Sequence, residues 1–402
     1  MLSSLSVYIA PLLVFGLVVF VHELGHFLAA KWAGVYAPVF SLGWGRRLFG
    51  WYRGETDYRV SLIPLGGYVR MASRDDEAMA GIEGSAGDRG ALTGSASPAD
   101  VPARPDGVPA ALWHPDRLAP FGPKPVPASR WVEGKSTGAR VFILSAGVLM
   151  NILLTLVVST GLSYRFGEAH VPAVIDSVVT GGPAAQAGLR GGDRIVAIDG
   201  VPVDRWDQVL DRVTPKTSGT ITFDVRRASG EQAQVVVQPQ VAEAPDPVTG
   251  AMRRVGRVGM AVRDSVVRTP VGLGQAMVAG GEATWLMARN VIQVLGGLVT
   301  GQVSAKNLGG PIQIAQTSVQ AARNGAETLW ALIAFLSLNI AILNLVPIPV
   351  LDGGQILLVL GERVLGERMG GQTREWMARI GVAVVLALIL LVTVNDLIRL
   401  GE

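Results

Sequence analysis

The chain contains no cysteine among its 402 residues. Disulfide scaffolds, thiolate zinc sites and thiol nucleophiles are thereby excluded, and any metal must be held by His, Asp or Glu. Charge is also scarce. Asp, Glu, Lys and Arg together make 17% of the chain, and the formal net charge is only +3. No basic patch supports a nucleic-acid partner. Histidine occurs four times. What fills the space is apolar: 49% of residues are hydrophobic and the mean hydropathy is +0.38. That balance indicates an integral membrane protein with a lipid bilayer as its solvent, rather than a soluble enzyme.

Two of the four histidines stand in the stretch VHELGHF at residues 21–27. On a helix, His22 and His26 project from one face, one turn apart. Glu23 beside them can reach a water on the same ion. This is the arrangement for two metal ligands and one general base. The motif lies in an apolar run, residues 5–30, long enough to cross a bilayer. Ionisable groups at that depth are costly and mark functional sites. The competing account is a pair of histidines packed with a carboxylate. A signal peptide is disfavoured, because no basic segment precedes the run and no small-residue cleavage site closes it.

No Lys or Arg precedes this span, whereas Lys31, Arg46, Arg47, Arg53, Arg59 and Arg70 follow it. The positive-inside rule therefore puts the N-terminus outside and residues 31–140 in the cytoplasm. Residues 39–71 alternate aromatic and β-branched residues with glycines, which predicts short hairpin strands. Their open edge can accept an extended peptide, or they form a plain cytoplasmic hairpin. Residues 72–127 are rich in Gly, Ala, Pro, Ser and Asp without periodicity. They predict a largely disordered stretch within a cytosolic insertion at 72–140. A second span at 141–164 holds one strongly polar side chain, Asn151, expected to hydrogen-bond another helix. Ser145, Ala146 and Gly147 are small enough to let a neighbour approach.

Residues 165–265 carry more charge, short β-like runs and regular turns. Within GGPAAQAGLRGGDRIVAIDGVPV, residues 181–203, a proline leads a short helix over 183–187, Gly188 closes it, and Gly192 and Asp193 turn into a strand. This stretch resembles a PDZ domain, a fold that binds peptide ends by adding a strand to a sheet edge. Residues 255–262 are expected to supply that edge. A mere spacer or steric plug is the alternative. Residues 266–329 predict an amphipathic helix over 273–298 along the outer membrane face, then a connector. The third transmembrane segment, 330–360, contains NLVPIPVLDGG at 344–354. Pro347 and Pro349 cannot sit in an unbroken helix, so the span unwinds there. Asp352 then either turns toward a cation at His22 and His26 or caps the helix that restarts after it. Asn344 either grips a peptide backbone or bonds a neighbouring helix. Residues 361–402 comprise a cytoplasmic loop to 379, marked by Arg363, Arg368, Arg374 and Arg379, and a fourth span over 380–394.

HELGH in a first span, a PDZ-like insertion and NLVPIPVLDGG in a later span together resemble the site-2 protease family, specifically its RseP-like regulated intramembrane metalloproteases. The resemblance implies an α-helical polytopic membrane protein with about four spanning helices, a first segment over 1–71 that holds the first transmembrane helix and a membrane-associated β-hairpin element, and an inserted extracytoplasmic PDZ domain. It implies Zn2+ held by His22, His26 and Asp352, Glu23 as catalytic base, and Asn344 as a substrate contact. Further substrate contacts follow at Gly43 and Gly45 of GWG, and at Leu65, Gly66 and Gly67 of SLIPLGGYVRM. Implied substrates are single-pass membrane proteins, anti-sigma factors and signal-peptide remnants among them, held with an extended or unwound transmembrane segment. Peptide C-termini would dock at the PDZ domain. The implied location is a bacterial inner membrane, with both termini and the PDZ domain outside the cytoplasm and the active site near the cytoplasmic face. The chain departs from the family pattern at Gln355, where a histidine is frequent, and at AGVLMN, which lacks a glycine-proline pair. Only one PDZ-like segment is visible where some members have two. Two other classes remain open: a catalytically inactive PDZ-bearing membrane scaffold, and a metal-ion transporter.

Overall fold

The computed structural model describes residues 2–73, 128–246, 250, 252–262, 266–304, 308–366 and 371–401, without the side chains of 2–8, 64, 65, 128, 371, 375 and 401. The expected disordered stretch and His114 fall almost wholly on residues 74–127, outside this set. The chain divides into two compact units, one of residues 1–159 with 306–402 and one of 160–305.

The first unit begins with helix α1 (Leu2–Trp32), followed by strands β1 (Val39–Arg53) and β2 (Thr56–Arg70). The expected short strands are thus two of fifteen residues each. They bend repeatedly, with positive φ at Gly43, Gly45 and Gly66 and several register shifts. The register gives residues 39–42 two sets of partners, 57–60 and 67–70. A ring cluster fastens this hairpin to α1: Phe40 lies 5.5 Å from Phe20 and 5.0 Å from Phe27, centroid to centroid. Aromatic pairs at such spacing add roughly 0.5–1.5 kcal/mol beyond area burial.

Residues 128–136, expected within the loose insertion, are instead ordered against the hairpin. Two 3-10 turns, Ala128–Arg130 and Val132–Gly134, carry them. Arg130 reaches both oxygens of Glu55 at 2.7 Å, Trp131 is buried, and Val132 N–H donates to Ala72 O. The charge-assisted pairing of one Arg130 guanidinium nitrogen with both Glu55 oxygens and the buried indole fix a segment whose composition alone suggests none of this. Helix α2 (Thr137–Phe166) follows, so the second span starts before residue 141.

The second unit holds β3 (Glu168–His170), β4 (Ile175–Val178), α3 (Pro183–Gln186), β5 (Arg194–Ile198), β6 (Val201–Pro202), α4 (Trp206–Val213), β7 (Ile221–Arg226) and β8 (Gln232–Val237). Then come β9 (Gln240–Pro245), β10 (Met252–Arg257), β11 (Met260–Val262), β12 (Val267–Thr269) and α5 (Leu273–Val299). Strands pair in the order β6-β5-β7-β8, with separate pairs β9-β10, β4-β11 and β3-β12. Phe223, Ile175, Ile195, Ile198 and Val209 form the centre of its core. Asp199 and Gly200, both at positive φ, turn β5 into β6, the Asp-Gly signature of a tight hairpin. Residues 255–262 comprise the end of β10, a turn and β11. Gly259 turns at φ +77° between β10 and β11, and Gly256 N–H donates to Thr214 O at the end of α4.

The first unit resumes with α6 (Pro311–Asn324), α7 (Ala326–Asn344), α8 (Asp352–Leu365) and α9 (Gly371–Gly401). The expected break is present: α7 stops at Asn344 and α8 restarts at Asp352. Proline removes helix hydrogen bonds there, and Gly353 and Gly354 pack on the carbonyls of Leu345 and Ile348, where a Cβ would come within 2.2 and 2.0 Å. The span does not give way to a long loop over 361–379. Arg363 lies on α8, and Arg374 and Arg379 lie on α9. Gly366 closes α8 in the left-handed conformation, a common helix stop. Among the described residues, four helices are long and apolar enough to cross a membrane, at 9–32, 137–166, 326–344 and 372–400. Leu13, Leu153, Phe335 and Leu390 among others lie exposed on them, which suits lipid.

Candidate active site

His22 and His26 lie on one face of α1, as their spacing requires, and both are buried. The unwound segment after α7 delivers Asp352 to them. Asp352 Oδ2 lies 3.2 Å from His22 Nε2 and 3.4 Å from His26 Nε2. The two Nε2 atoms are 3.2 Å apart. These three atoms therefore form a nearly equilateral triangle. A tetrahedral zinc with ligands at 2.0–2.1 Å puts neighbouring ligand atoms about 3.3 Å apart, so the donor set matches zinc in both chemistry and size. Asp352 Oδ2 is also buried with no aligned hydrogen-bond donor, a costly state that a cation relieves. Among the described residues, His22, His26 and Asp352 form a group whose ligand atoms could hold a metal ion.

The rest of the setting comes from α2, which sequence patterning treats only as a close neighbour. His26 Nδ1 donates to the Ile143 carbonyl at 2.8 Å. Asn151 Nδ2 lies 3.4 Å from His22 Nδ1. Gly147 faces the rings directly: a Cβ there would fall 2.4 Å from His26 Nε2 and 2.8 Å from His22 Cε1. Nothing in the sequence marks Gly147 beyond its place among small residues. The interhelical contact of the Asn151 side chain is the one to His22 on α1, while its backbone carbonyl accepts the Thr155 hydroxyl from α2 itself and the Ser337 hydroxyl from α7.

Asn344, the last residue of α7, has Nδ2 at 3.1 Å from His22 Nε2, so it stands at the site. Glu23 follows His22 on α1, and the Val69 backbone N–H faces its carboxylate. Gly67 lies beside Glu23, with a Cβ position 3.4 Å from its Cγ. Gly43, Gly45 and Gly66 instead shape the hairpin: a Cβ at Gly43 would strike the Ile63 carbonyl, and one at Gly66 the Trp44 indole. The Leu65 side chain is outside the described set. Gln355 turns away, donating to Pro349 O at 2.6 Å and holding the unwound segment.

The profile of peptidase family M50 matches residues 10–388. The chain belongs to peptidase family M50. Among similar proteins, the zinc metalloprotease RasP of Bacillus licheniformis is 31% identical over 432 aligned residues, covering 98% of this chain and 100% of that one. A putative zinc metalloprotease of Agrobacterium fabrum is 32% identical over 98% of this chain and 96% of its own. The regulator of sigma-W protease RasP of Bacillus subtilis is 29% identical, covering 98% of each. This M50 member is a zinc metalloprotease of the site-2 type, an integral membrane protein that uses Zn2+.

The second unit offers a separate groove of about 810 Å³, lined by Val179, Val209, Leu210, Val258, Gly259 and Met260 among others. Among the described residues β11 pairs with β4 alone.

Proposed function

We propose that this chain cleaves transmembrane segments of single-pass membrane proteins close to the cytoplasmic face, using zinc held by His22, His26 and Asp352. The observation that carries this reading is the 3.2–3.4 Å triangle of two imidazole nitrogens and one carboxylate oxygen, assembled from two helices far apart in sequence. Zinc held there would supply Lewis acidity for activating water at neutral pH and polarising the scissile carbonyl. Glu23 is the base that would accept a proton from the attacking water and return it to the leaving amine. Asn344 holds the substrate backbone from the side opposite the hairpin.

A helical substrate hides its carbonyls in its own hydrogen bonds, so it must unwind before attack. Residues 67–70, paired on one side with 39–42, turn their other side toward Glu23 and suit strand addition beside it. Exposed Trp44, Phe49, Trp51 and Tyr52, next to Arg46, Arg47 and Arg53, favour a hairpin resting at the membrane interface. The positive-inside pattern supports four spans with both termini outside. The 160–305 unit, flanked by a span on each side, is then an extracytoplasmic PDZ-type domain. Its groove, lined by α4, β10 and the turn into β11, suits a peptide C-terminus. The name of the Bacillus subtilis relative concerns sigma-W regulation, which supports membrane-bound anti-sigma factors as the substrate class.

The test is cleavage of a single-pass test substrate by purified protein, by its Glu23→Gln variant and by protein treated with a chelator. Only the untreated wild type should cut. Equal processing by all three would end the proposal. Deleting residues 171–265 separates two roles for the domain: a size filter predicts new cleavage of untrimmed substrates, a docking site slower cleavage of trimmed ones.

A further inference from the structure

Both histidines at the zinc centre turn Nε2 toward Asp352, so each must have its second ring nitrogen satisfied elsewhere. A neutral imidazole that coordinates through Nε2 carries its proton on Nδ1, and that N–H needs an acceptor. His26 has one, the Ile143 carbonyl at 2.8 Å. His22 Nδ1 faces the carboxamide of Asn151, about two turns beyond Ile143 on α2, at 3.4 Å from Nδ2. Asn151 is wholly buried, and its Oδ1 has no hydrogen-bond partner. An amide N–H aimed at Nδ1 would require the ring proton on Nε2 and would remove the lone pair that the ion needs. Half a turn of the carboxamide exchanges two atoms of nearly equal size. The orphaned oxygen then meets the ring N–H.

We propose that Asn151 is the positioning residue of the zinc centre: its amide oxygen accepts the Nδ1–H of His22 and so fixes the tautomer that presents Nε2. In this arrangement one helix, α2, orients both ligand rings, His26 through a main-chain carbonyl and His22 through a side chain. Gly147 between these two contacts leaves room for the rings. The arrangement also accounts for an uncapped polar side chain in the middle of an apolar helix, a place where polar groups are retained for a purpose. The same helix position serves packing through its backbone carbonyl, which receives Thr155 and Ser337. That role does not require the side chain.

The inference rests on His22 being a zinc ligand, and the experiment separates the two. Zinc affinity is measured by chelator competition on the full-length detergent-purified protein for wild type, His22→Ala, Asn151→Leu and Asn151→Asp. Histidine ring nitrogens are followed by NMR on zinc-loaded protein labelled at its four histidines. Asn151→Leu keeps the branching of the side chain, though with more bulk, and offers no acceptor; affinity should fall roughly 10–100-fold, with loss of the hydrogen-bonded Nδ1–H signal of His22. Asn151→Asp restores an acceptor and should recover most of the affinity and the signal. If His22→Ala binds zinc like wild type, the ligand assignment fails and this inference fails with it. If His22→Ala loses zinc while Asn151→Leu keeps wild-type affinity and the His22 signal, the inference alone is overturned. Equal losses in Leu and Asp variants, accompanied by equal drops in thermal stability, overturn it too, because they mark a packing role.

Discussion

Replacing Gly147 by alanine probes the site at its tightest point. The new methyl would sit 2.4 Å from His26 Nε2 and 2.8 Å from His22 Cε1, against an ordinary contact floor of 3.4 Å. Relieving the clash takes about 1.0 Å of movement at His26 and about 0.6 Å at His22, each well beyond the ~0.2 Å tolerance of metal–ligand distances. The rings cannot retreat freely, since His26 is tied to Ile143 O and both are buried. Moving α2 away instead would open the close contact of Gly25 on the Ala146 carbonyl and stretch the His26–Ile143 hydrogen bond. A displacement of about 1 Å at a reacting centre costs on the order of 100-fold in rate, and zinc affinity should fall by a similar factor. The assay is zinc content after chelator competition, with cleavage of a single-pass test substrate alongside. Gly138→Ala on the same helix, where a Cβ meets nothing within 4 Å, is the control and should leave both unchanged. Gly147→Ala protein that holds zinc and cuts within twofold of wild type would refute the placement of these rings against α2.

Glu362 is buried between Arg140 and Arg374 and joins α8, the helix that begins at Asp352, to α2 and α9. Glu362→Ala leaves buried cations short of their carboxylate and should cost roughly 3–5 kcal/mol, read as a large drop in melting temperature. Asp396 on α9 accepts backbone N–H groups of Gly310, Ile312 and Gln313 at 2.9–3.0 Å, capping α6. Asp396→Ala should lose about 1–2 kcal/mol by thermal unfolding and expose α6 first in hydrogen exchange. Burial alone would raise the Glu55 pKa, but the hydrogen bonds from Lys31 and Arg130 outweigh it and hold the carboxyl below its ordinary 4.5. Its contribution is therefore complete above that value and lost as the pH falls through the lower folded one. The stability gap between wild type and Glu55→Gln should be constant near neutrality and close in acid; a gap that widens in acid would contradict the pairing.

The parts of this structure that the sequence makes legible are those governed by local rules. The four-residue spacing of His22 and His26 sets their common face, and Pro347 with Pro349 dictates the helix break that frees Asp352. Long-range pairing is what stays hidden. Composition suggests short strands for 39–71, whereas the double pairing of 39–42 depends on partners up to thirty-one residues away (Val39 with Arg70). The docking of 128–136 depends on Glu55, and its ordering cannot be read from a Gly- and Pro-rich neighbourhood. Residues 361–379 look like a basic loop because arginines mark them, yet helix continues through most of the span where Arg140 and Glu362 pair. Gly147 is invisible for the same reason. Its meaning lies in two rings carried by another helix.

The most direct measurement is X-ray absorption at the zinc edge on Glu23→Gln protein, compared with versions that also carry His22→Ala or Asp352→Ala. The account predicts one zinc per chain with two imidazole nitrogens and at least one carboxylate oxygen near 2.0–2.1 Å, and loss of stoichiometric zinc in both double variants. Full zinc occupancy with an unchanged spectrum after removal of Asp352 or His22 would contradict it.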